Sequence, residues 1–432
     1  MHDYRVLTVV LLIAAFPLSI WAAGSSESEF SDWYGGINEA LTPENTANTG
    51  LTSFPSLLIP MGGEYEGMGT AYTAVGRDLS FFESNPAASA SLSQTEVALY
   101  HTNLIADTSM EGLAFTSRRE NLGFGMAVKH IHVPFTGYDD FGVQTSTSRY
   151  SESVAALNVA YNFFNSFYYS GLSLGLNVKG AYRNIAEVVA PGQSAAAIMA
   201  DAGVLTRFHF LKFYSSREPN FALGSTLRNA GPPALDEPLP TVWSTGLAWN
   251  PLRPLLLAAD LNVPVSLDGE TPAPAPGYAV GMALTVTEFF VLRSGFLQRG
   301  GNPRLTLGGS VDLDRMSITV NYTRALTTQL NAFDRFSVHA GFRLGDQGRG
   351  ERQDLLRSYY LDALQAFATG DLESTIDLTR RVLALDPTFQ PASETLTMAA
   401  RMLELQQQME SIQLGTQEDI DDAGFTDETG AE

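Results

Sequence analysis

The feature that most constrains this chain is a period of two that persists from Thr95 to Gly345. Leu305, Leu307, Gly309, Val311 and Leu313 alternate with Thr306, Gly308, Ser310, Asp312 and Asp314. The same rhythm follows in Met316, Ile318, Val320 and Tyr322 against Ser317, Thr319, Asn321 and Thr323. It returns in Phe336, Val338, Ala340, Phe342 and Leu344 against Ser337, His339, Gly341 and Arg343. Successive side chains of a strand point to opposite faces, so each segment reads as a strand with one apolar face and one polar or small face. Similar segments begin near Leu172 and Tyr278. About fourteen can be placed, each near the length a tilted strand needs to cross a bilayer.

The connections between these strands alternate in length. Short or modest links fall at Ser117–Asn121, Phe164–Phe167, Lys212–Asn220, Asn250–Pro254, Thr287–Glu288 and Leu313–Arg315. Longer, Gly/Pro/Asp-rich links fall at Pro134–Tyr150, Asn184–Ala195, Asn229–Pro240, Pro264–Gly277 and Ala325–Asp334. Two links on the long side, Ile105–Thr108 and Arg299–Asn302, break the pattern by being short. Outer-membrane barrels pair short periplasmic turns with longer outer loops. Aromatic residues crowd the short-link side, from Tyr161, Phe163 and Phe164 through Phe208 and Phe210 to Trp249, as an interfacial girdle would. A water-soluble β-sandwich also alternates, but it has no reason for loop lengths that differ by side. The sequence therefore predicts an all-β transmembrane barrel of about 14 antiparallel strands over residues 95–345.

Bulk composition is silent on this point. An apolar content of 44% and a mean hydropathy of -0.02 look ordinary, as expected when each membrane strand is apolar on one face only. Residues 1–23 read as a signal peptide, with Arg5, an apolar run from Val6 to Ile20, and Ala22-Ala23-Gly24 for cleavage. No other stretch approaches a membrane-spanning apolar helix, so a mature chain in a membrane must sit there as a closed barrel. The chain has no cysteine, which removes disulfides, thiolate metal sites and cysteine nucleophiles.

Residues 24–94 lack the alternation and are rich in Gly, Ser, Thr and Asn. A segment this long without regular structure is either disordered or has a task; here the task is a hatch or plug for the barrel lumen. After Gly345 the period becomes helical. Asp354–Thr369, Leu372–Leu385 and Pro391–Met409 read as helices, forming a small α-helical module over residues 354–410, followed by an acidic disordered tail at 411–432. The formal net charge is -21, and from Glu351 onward 17 acids stand against 5 arginines, which is -12 of that total. This balance argues against nucleic acid as a partner.

Nothing in the chain reads as an enzyme. The six histidines are scattered, and no Ser/His/Asp or helical carboxylate arrangement stands out. His130 and His132 sit two apart on a strand and could face one side, but no further ligand accompanies them, so neither a metal nor a cofactor is expected.

Two stretches carry family resemblances. Gly67-Met68-Gly69-Thr70-Ala71-Tyr72-Thr73-Ala74, then Asp78 and Asn85-Pro86-Ala87, resembles the amino-terminal hatch of the FadL-type outer-membrane long-chain fatty acid transporters. The closer likeness is to FadL-like proteins of spirochaetes, through Leu79–Ser89 and His101–Glu111. The resemblance covers most of residues 54–345, is specific at Gly67–Ala87 and is diffuse across the strands. It implies a fourteen-strand outer-membrane channel for uptake of long-chain fatty acids or other hydrophobic compounds. It also implies a hatch built on Gly67, Gly69, Tyr72, Asn85, Pro86 and Ala87, with Phe81 and Phe82 beside it lining an apolar pocket or wedging the hatch.

An acyl ligand needs an apolar pocket and a cation for its carboxylate. Strand phase places Lys129, Lys179, Arg207 and Arg343 on the lumen side, where they serve that role or pair with lumen acids such as Asp201 and Asp312. The partners implied are outer-membrane lipid and a long-chain fatty acid or other apolar ligand.

The second stretch, Tyr359 to Ala392, resembles a tetratricopeptide repeat through Tyr359, Ala363, Gly370-Asp371-Leu372, Leu383, Asp386-Pro387 and Ala392. It departs from the repeat at Ala366, Thr375 and Thr379. One repeat is fewer than such arrays need alone, so the module packs on the barrel, pairs with another copy, or docks a periplasmic protein through residues 354–410. An even strand number places it in the periplasm. The leading expectation is a FadL-like uptake channel. An outer-membrane assembly or secretion-partner barrel, a general porin and a surface adhesin are the alternatives.

Overall fold

The computed structural model describes residues 52–105, 107–138, 141–187, 190–267, 274–300, 303–326 and 334–423. The expected signal peptide, the first part of the hatch and the end of the acidic tail lie outside them. Fourteen antiparallel strands, β1 (Thr95–Asn103) to β14 (Arg335–Gly345), run in sequence order and close when β1 pairs with β14. Closure leaves no sheet edge, which is the condition for strands in a hydrocarbon phase.

The alternation seen in the sequence is the alternation of the wall. On β5 (Leu172–Ile185), Leu174, Leu176 and Val178 project outward while Ser173, Asn177 and Lys179 are buried inside. On β12 (Arg304–Leu313) and β13 (Met316–Ala325), Leu307, Val311, Ile318 and Val320 face out, and Thr306, Ser310, Thr319 and Asn321 face in. A wall with exposed leucines and buried asparagines is the inverse of a water-soluble domain. No helix among the described residues is long and apolar enough to cross a membrane.

Three sequence expectations need correction. Pro134–Tyr150 is not a long loop: β3 (Leu122–Tyr138) and β4 (Gln144–Phe163) continue through it. Beyond Val133 and before Tyr150 these strands pair only with each other, forming a two-stranded ribbon past the neighbouring strands. The β-formers Phe135, Thr136, Thr147 and Tyr150 outweigh the Gly, Pro and Asp that suggested a turn. The short-link end is also not uniformly short, because 164–171 and 209–220 are longer than Glu120-Asn121 or Asp314-Arg315. Finally, the chain past residue 410 is not disordered at once: the last helix runs Gln390–Ala423. Its Gln-, Met- and Glu-rich sequence favours helix and holds only Gly415 as a weak break.

The helical module comprises α2 (Arg349–Thr369), α3 (Leu372–Leu385) and α4 (Gln390–Ala423); among the described residues the hatch contributes one α-helix, α1 (Gly63–Gly67). Ala363 is fully buried, and Gly370 closes α2 in a left-handed conformation that Gly accommodates. Asp371 caps α3 through Ser374, and that hydrogen bond holds its carboxyl below the usual carboxylate range. Thr375 and Thr379 are buried, with their hydroxyls bonded back to the carbonyls of Asp371 and Thr375 at 2.7 Å each. Leu383 and Tyr359 pack beside Val382 and Phe389, and Pro387 lies in the α3–α4 turn.

The module is docked on the barrel's short-link end. Phe167, from the turn after β4, meets Phe389 edge-on with ring centres 4.9 Å apart, and Phe389 meets Tyr360 at 5.0 Å. Arg217 lies over the Phe167 ring at 4.2 Å. Phe167, in the aromatic-rich link after β4, is thus taken up by this contact. On an unboiled denaturing gel the protein is expected to migrate at a different apparent size from the boiled sample. A single position under both conditions contradicts a closed barrel.

Candidate functional site

The lumen is filled by residues 52–94, and the filling depends on how each polar group entering it is matched by the wall. Three hatch acids meet wall cations. Glu83 pairs with Lys129 at 2.7 Å, Glu66 with Arg335 at 3.1 Å, and Glu64 with Arg293. In the opposite sense, the wall carboxylate Asp260 accepts the backbone N–H groups of Tyr72 and Thr73, each at 2.9 Å. Asn321 donates to the Gly63 carbonyl at 2.8 Å, and Asn158 donates to the Pro86 carbonyl at 3.1 Å. Removing one member of a buried charge pair costs ~3–5 kcal/mol, so these contacts fix the hatch in one seat.

The hatch motif lies at the centre of this arrangement. Asn85 caps the 3-10 turn Pro86–Ser91 by accepting from Ala87 N–H at 3.1 Å, and its amide donates to the carbonyls of Thr73 (2.8 Å) and Val204 (3.0 Å). Its side chain thus links two hatch segments and the wall. Pro86 and Ala87 press on Gly175, and Asn85 and Pro86 on Gly203. Gly69, at φ +60°, lies against Gly295, where a Cβ would stand 2.6 Å from the Phe296 nitrogen. Gly67 faces Asn321, whose Oδ1 would be 2.7 Å from an added Cβ. Tyr72 is fully buried and donates to Glu64 at 2.9 Å. Phe81 and Phe82 stack at 4.2 Å and abut Gly125.

A row of wall glycines therefore receives the hatch: Gly123, Gly175, Gly203, Gly224, Gly281 and Gly295 each face hatch atoms closer than a Cβ permits. Sequence reasoning missed these positions, and it also missed Glu64, Glu66, Glu83 and Asp260. The signal present was a glycine at an inward phase on strand after strand, together with the acid pair in Gly63-Glu64-Tyr65-Glu66.

The four expected lumen cations separate. Lys129 is spent on Glu83 and on the Ile59 carbonyl (2.8 Å), and Lys179 on Asp201 (2.7 Å) and Asn229 (3.0 Å). Arg343 pairs with Asp312 at 2.6 Å. Arg207 holds Ser91 at 2.7 Å and the Val75 and Gly76 carbonyls. A fifth cation, Arg228, was not singled out. It reaches Tyr65 Oη (3.1 Å), Ser244 Oγ (3.0 Å) and the Glu83 carbonyl, and it bonds to no carboxylate among the described residues.

Two cavities border the hatch. The smaller, about 40 Å³, is lined by Leu57, Met61, Phe82, Ala127, Val154 and Ala156 on its apolar side, and by Glu83, Lys129, Lys179, Arg228 and Asn229 on its polar side. Its roof is the 3-10 turn Pro55–Leu58, preceded by Phe54 at φ +54°. Ser56 N–H bonds Glu152 at 3.2 Å, and Ser53 N–H bonds the Pro238 carbonyl at 3.0 Å. Phe54 is buried against Val154, Ala181, Met199 and Leu239. The larger cavity, about 140 Å³, lies on the short-link side and is lined by Glu64, Asp78, Glu96, Arg293, Asp312 and Arg343. Its lining is mostly polar, with Leu92 and Val291 as the apolar members.

His130 and His132 face outward, bonded to Ser153 (2.9 Å) and Ser109 (3.3 Å). Among the described residues no three His, Cys, Asp or Glu side chains form a metal-holding group.

Comparison with known proteins gives one family. A family model described as "Uncharacterised protein family (UPF0164)" matches residues 38–346. A "UPF0164 protein" of Treponema pallidum (strain Nichols) is 28% identical over 374 residues, covering 83% of this chain and 85% of its own. A second from the same organism is 24% identical over 375 residues, covering 82% and 76%. Among solved structures, the "CymD monoaromatic hydrocarbon channel" aligns with a TM-score of 0.49 at 12% identity, over 65% of this chain and 97% of that one. The Pseudomonas putida toluene transporter TodX aligns with a TM-score of 0.45 at 14% identity, over 64% and 96%.

Asn85→Ala removes two donated bonds and one accepted bond from buried backbone. It is expected to cost about 1–3 kcal/mol per group left unsatisfied. Hydrogen exchange should accelerate across residues 62–92 while β1–β14 keep their protection. Equal loss in hatch and wall contradicts a separately seated hatch.

Proposed function

We propose that this chain, which belongs to the UPF0164 family, is an outer-membrane channel that passes apolar molecules through a barrel gated by its own hatch. The observation that carries this reading is the cavity between the Pro55–Leu58 roof and the hatch. Five apolar side chains and Phe82's ring converge there on Arg228, a buried cation without a carboxylate partner among the described residues. Ligand sites combine an apolar lining with a few placed polar groups, and this one has that composition in miniature.

At about 40 Å³ the cavity holds a water molecule or two and no more. Occupation by a ligand requires the roof to move. The roof is attached by the Ser53 and Ser56 backbone bonds, by Arg299 on the Leu58 carbonyl at 3.2 Å and Lys129 on the Ile59 carbonyl at 2.8 Å, and by the Phe54 ring under Arg183. Leu57 withdraws first, since it lines the cavity directly and packs only against the edge of the Phe54 cluster. The ligand class favoured is a long-chain fatty acid, with its carboxylate on Arg228 and its chain along Leu57, Met61 and Val154. The helical module then faces the periplasm, because it sits at the short-link end of the barrel.

Binding of palmitate and of hexadecanol to the purified full chain tests both parts. Arg228→Gln is expected to weaken palmitate roughly tenfold or more and to leave hexadecanol unchanged, since a charge-assisted hydrogen bond is worth ~1.5–3 kcal/mol. Arg228→Lys should retain most of the affinity. Equal affinity of both ligands for both variants would place the specificity with uncharged hydrocarbons. Failure of either ligand to bind contradicts the channel reading itself.

A further inference from the structure

On α4, Met398, Met402, Leu405 and Met409 are 51%, 50%, 53% and 62% exposed. Their spacing of four, three and four residues is the seam of a heptad, which sets one continuous apolar stripe along the helix. The stripe is not the face that holds the module together. Ala392, Thr395 and Ala399 are buried, and Leu396 and Leu403 half-buried. The stripe lies beside that buried face, toward solvent.

From these observations we propose that the α4 stripe docks a cationic amphipathic helix of a partner protein. The period of 3.5 selects a helix as the occupant, because only a helix presents matching knobs at that repeat. Three methionines and one leucine make a deformable surface that accepts side chains of different shape. The charge around the stripe selects the partner's sign. Beside the stripe α4 has Arg401 as its one base against Glu394, Glu404 and Glu410, and the end of the helix adds Glu418, Asp419, Asp421 and Asp422 within a segment that carries -12 from Glu351 onward. A Lys/Arg-flanked helix gains from that field. A second copy of this chain would instead bring two such acidic segments together, and an anionic lipid surface would repel the stripe's flanks. The docking of the module on Phe167 leaves α4's stripe uncovered, so this surface is separate from the barrel contact.

The test uses the full chain in zwitterionic-lipid nanodiscs and two synthetic probes, an amphipathic Leu/Lys helix of about five turns and its Leu/Glu counterpart. Hydrogen exchange over residues 394–410 is followed peptide by peptide. The Leu/Lys probe is expected to slow exchange there roughly tenfold, and the Leu/Glu probe to leave it unchanged. Met402→Gln combined with Leu405→Gln should abolish the effect. Both positions are half-exposed, and unchanged exchange in α3 reports that the module remains folded. Equal protection by both probes overturns the proposal, as does protection that survives the double substitution. Protection that appears without a probe and grows with protein concentration overturns it in favour of a second copy.

Discussion

Everything in this barrel depends on charge and hydrogen-bond matching between the hatch and the inner wall. A lumen lined by Lys129, Arg293, Arg335, Asp260 and Asn321 is costly unless something supplies complementary groups, because buried charges need partners. The hatch supplies them: Glu83, Glu64 and Glu66 as anions, and the Tyr72 and Thr73 amides as donors. In return the wall satisfies backbone that a chain without regular structure cannot satisfy by itself. Wall and hatch are therefore matched group by group, although they are separate in sequence.

Sterics complete what charge begins. The hatch backbone approaches Gly175, Gly224 and Gly295 so closely that no side chain fits between. This brings carbonyls such as those of Pro86 and Thr73 within reach of Asn158 and Asn85. The Gly67–Ala87 segment is seated against wall glycines, whereas the roof Pro55–Leu58 is held over a small amphipathic cavity by the Ser56 bond to Glu152 and the Arg299 bond to the Leu58 carbonyl. That contrast is the basis for assigning movement to the roof and closure to the hatch.

The fold class was legible because it rests on local pattern. The alternation at Phe336–Leu344 or Leu305–Asp314 needs no tertiary information, and it marks inward and outward faces directly. Local signals misled where they conflicted: Gly, Pro and Asp suggested a loop at Pro134–Tyr150, and cross-strand pairing overrode them. The candidate site was legible only by half. Lumen phase identified Lys129, Lys179 and Arg343 as inward, but each one's partner lies 46, 22 and 31 residues away. Glu66 and Thr323, also bonded, are 257 apart. Register between hatch and wall is a property of the closed barrel, so that Arg228 lines the small cavity without a carboxylate partner among the described residues could not be read from Leu227-Arg228-Asn229. The Gly67–Ala87 motif was visible, but its function as a backbone contact for wall glycines emerges only in three dimensions.

The central claim is that this is a membrane barrel closed by residues 52–92, and ion conductance in a planar bilayer tests it most directly. The full chain is expected to insert without a steady ohmic current. A variant lacking residues 52–92 should open a large, stable pore, since the wall alone encloses an aqueous lumen. A full-length protein that conducts as freely as the deletion variant would contradict the account.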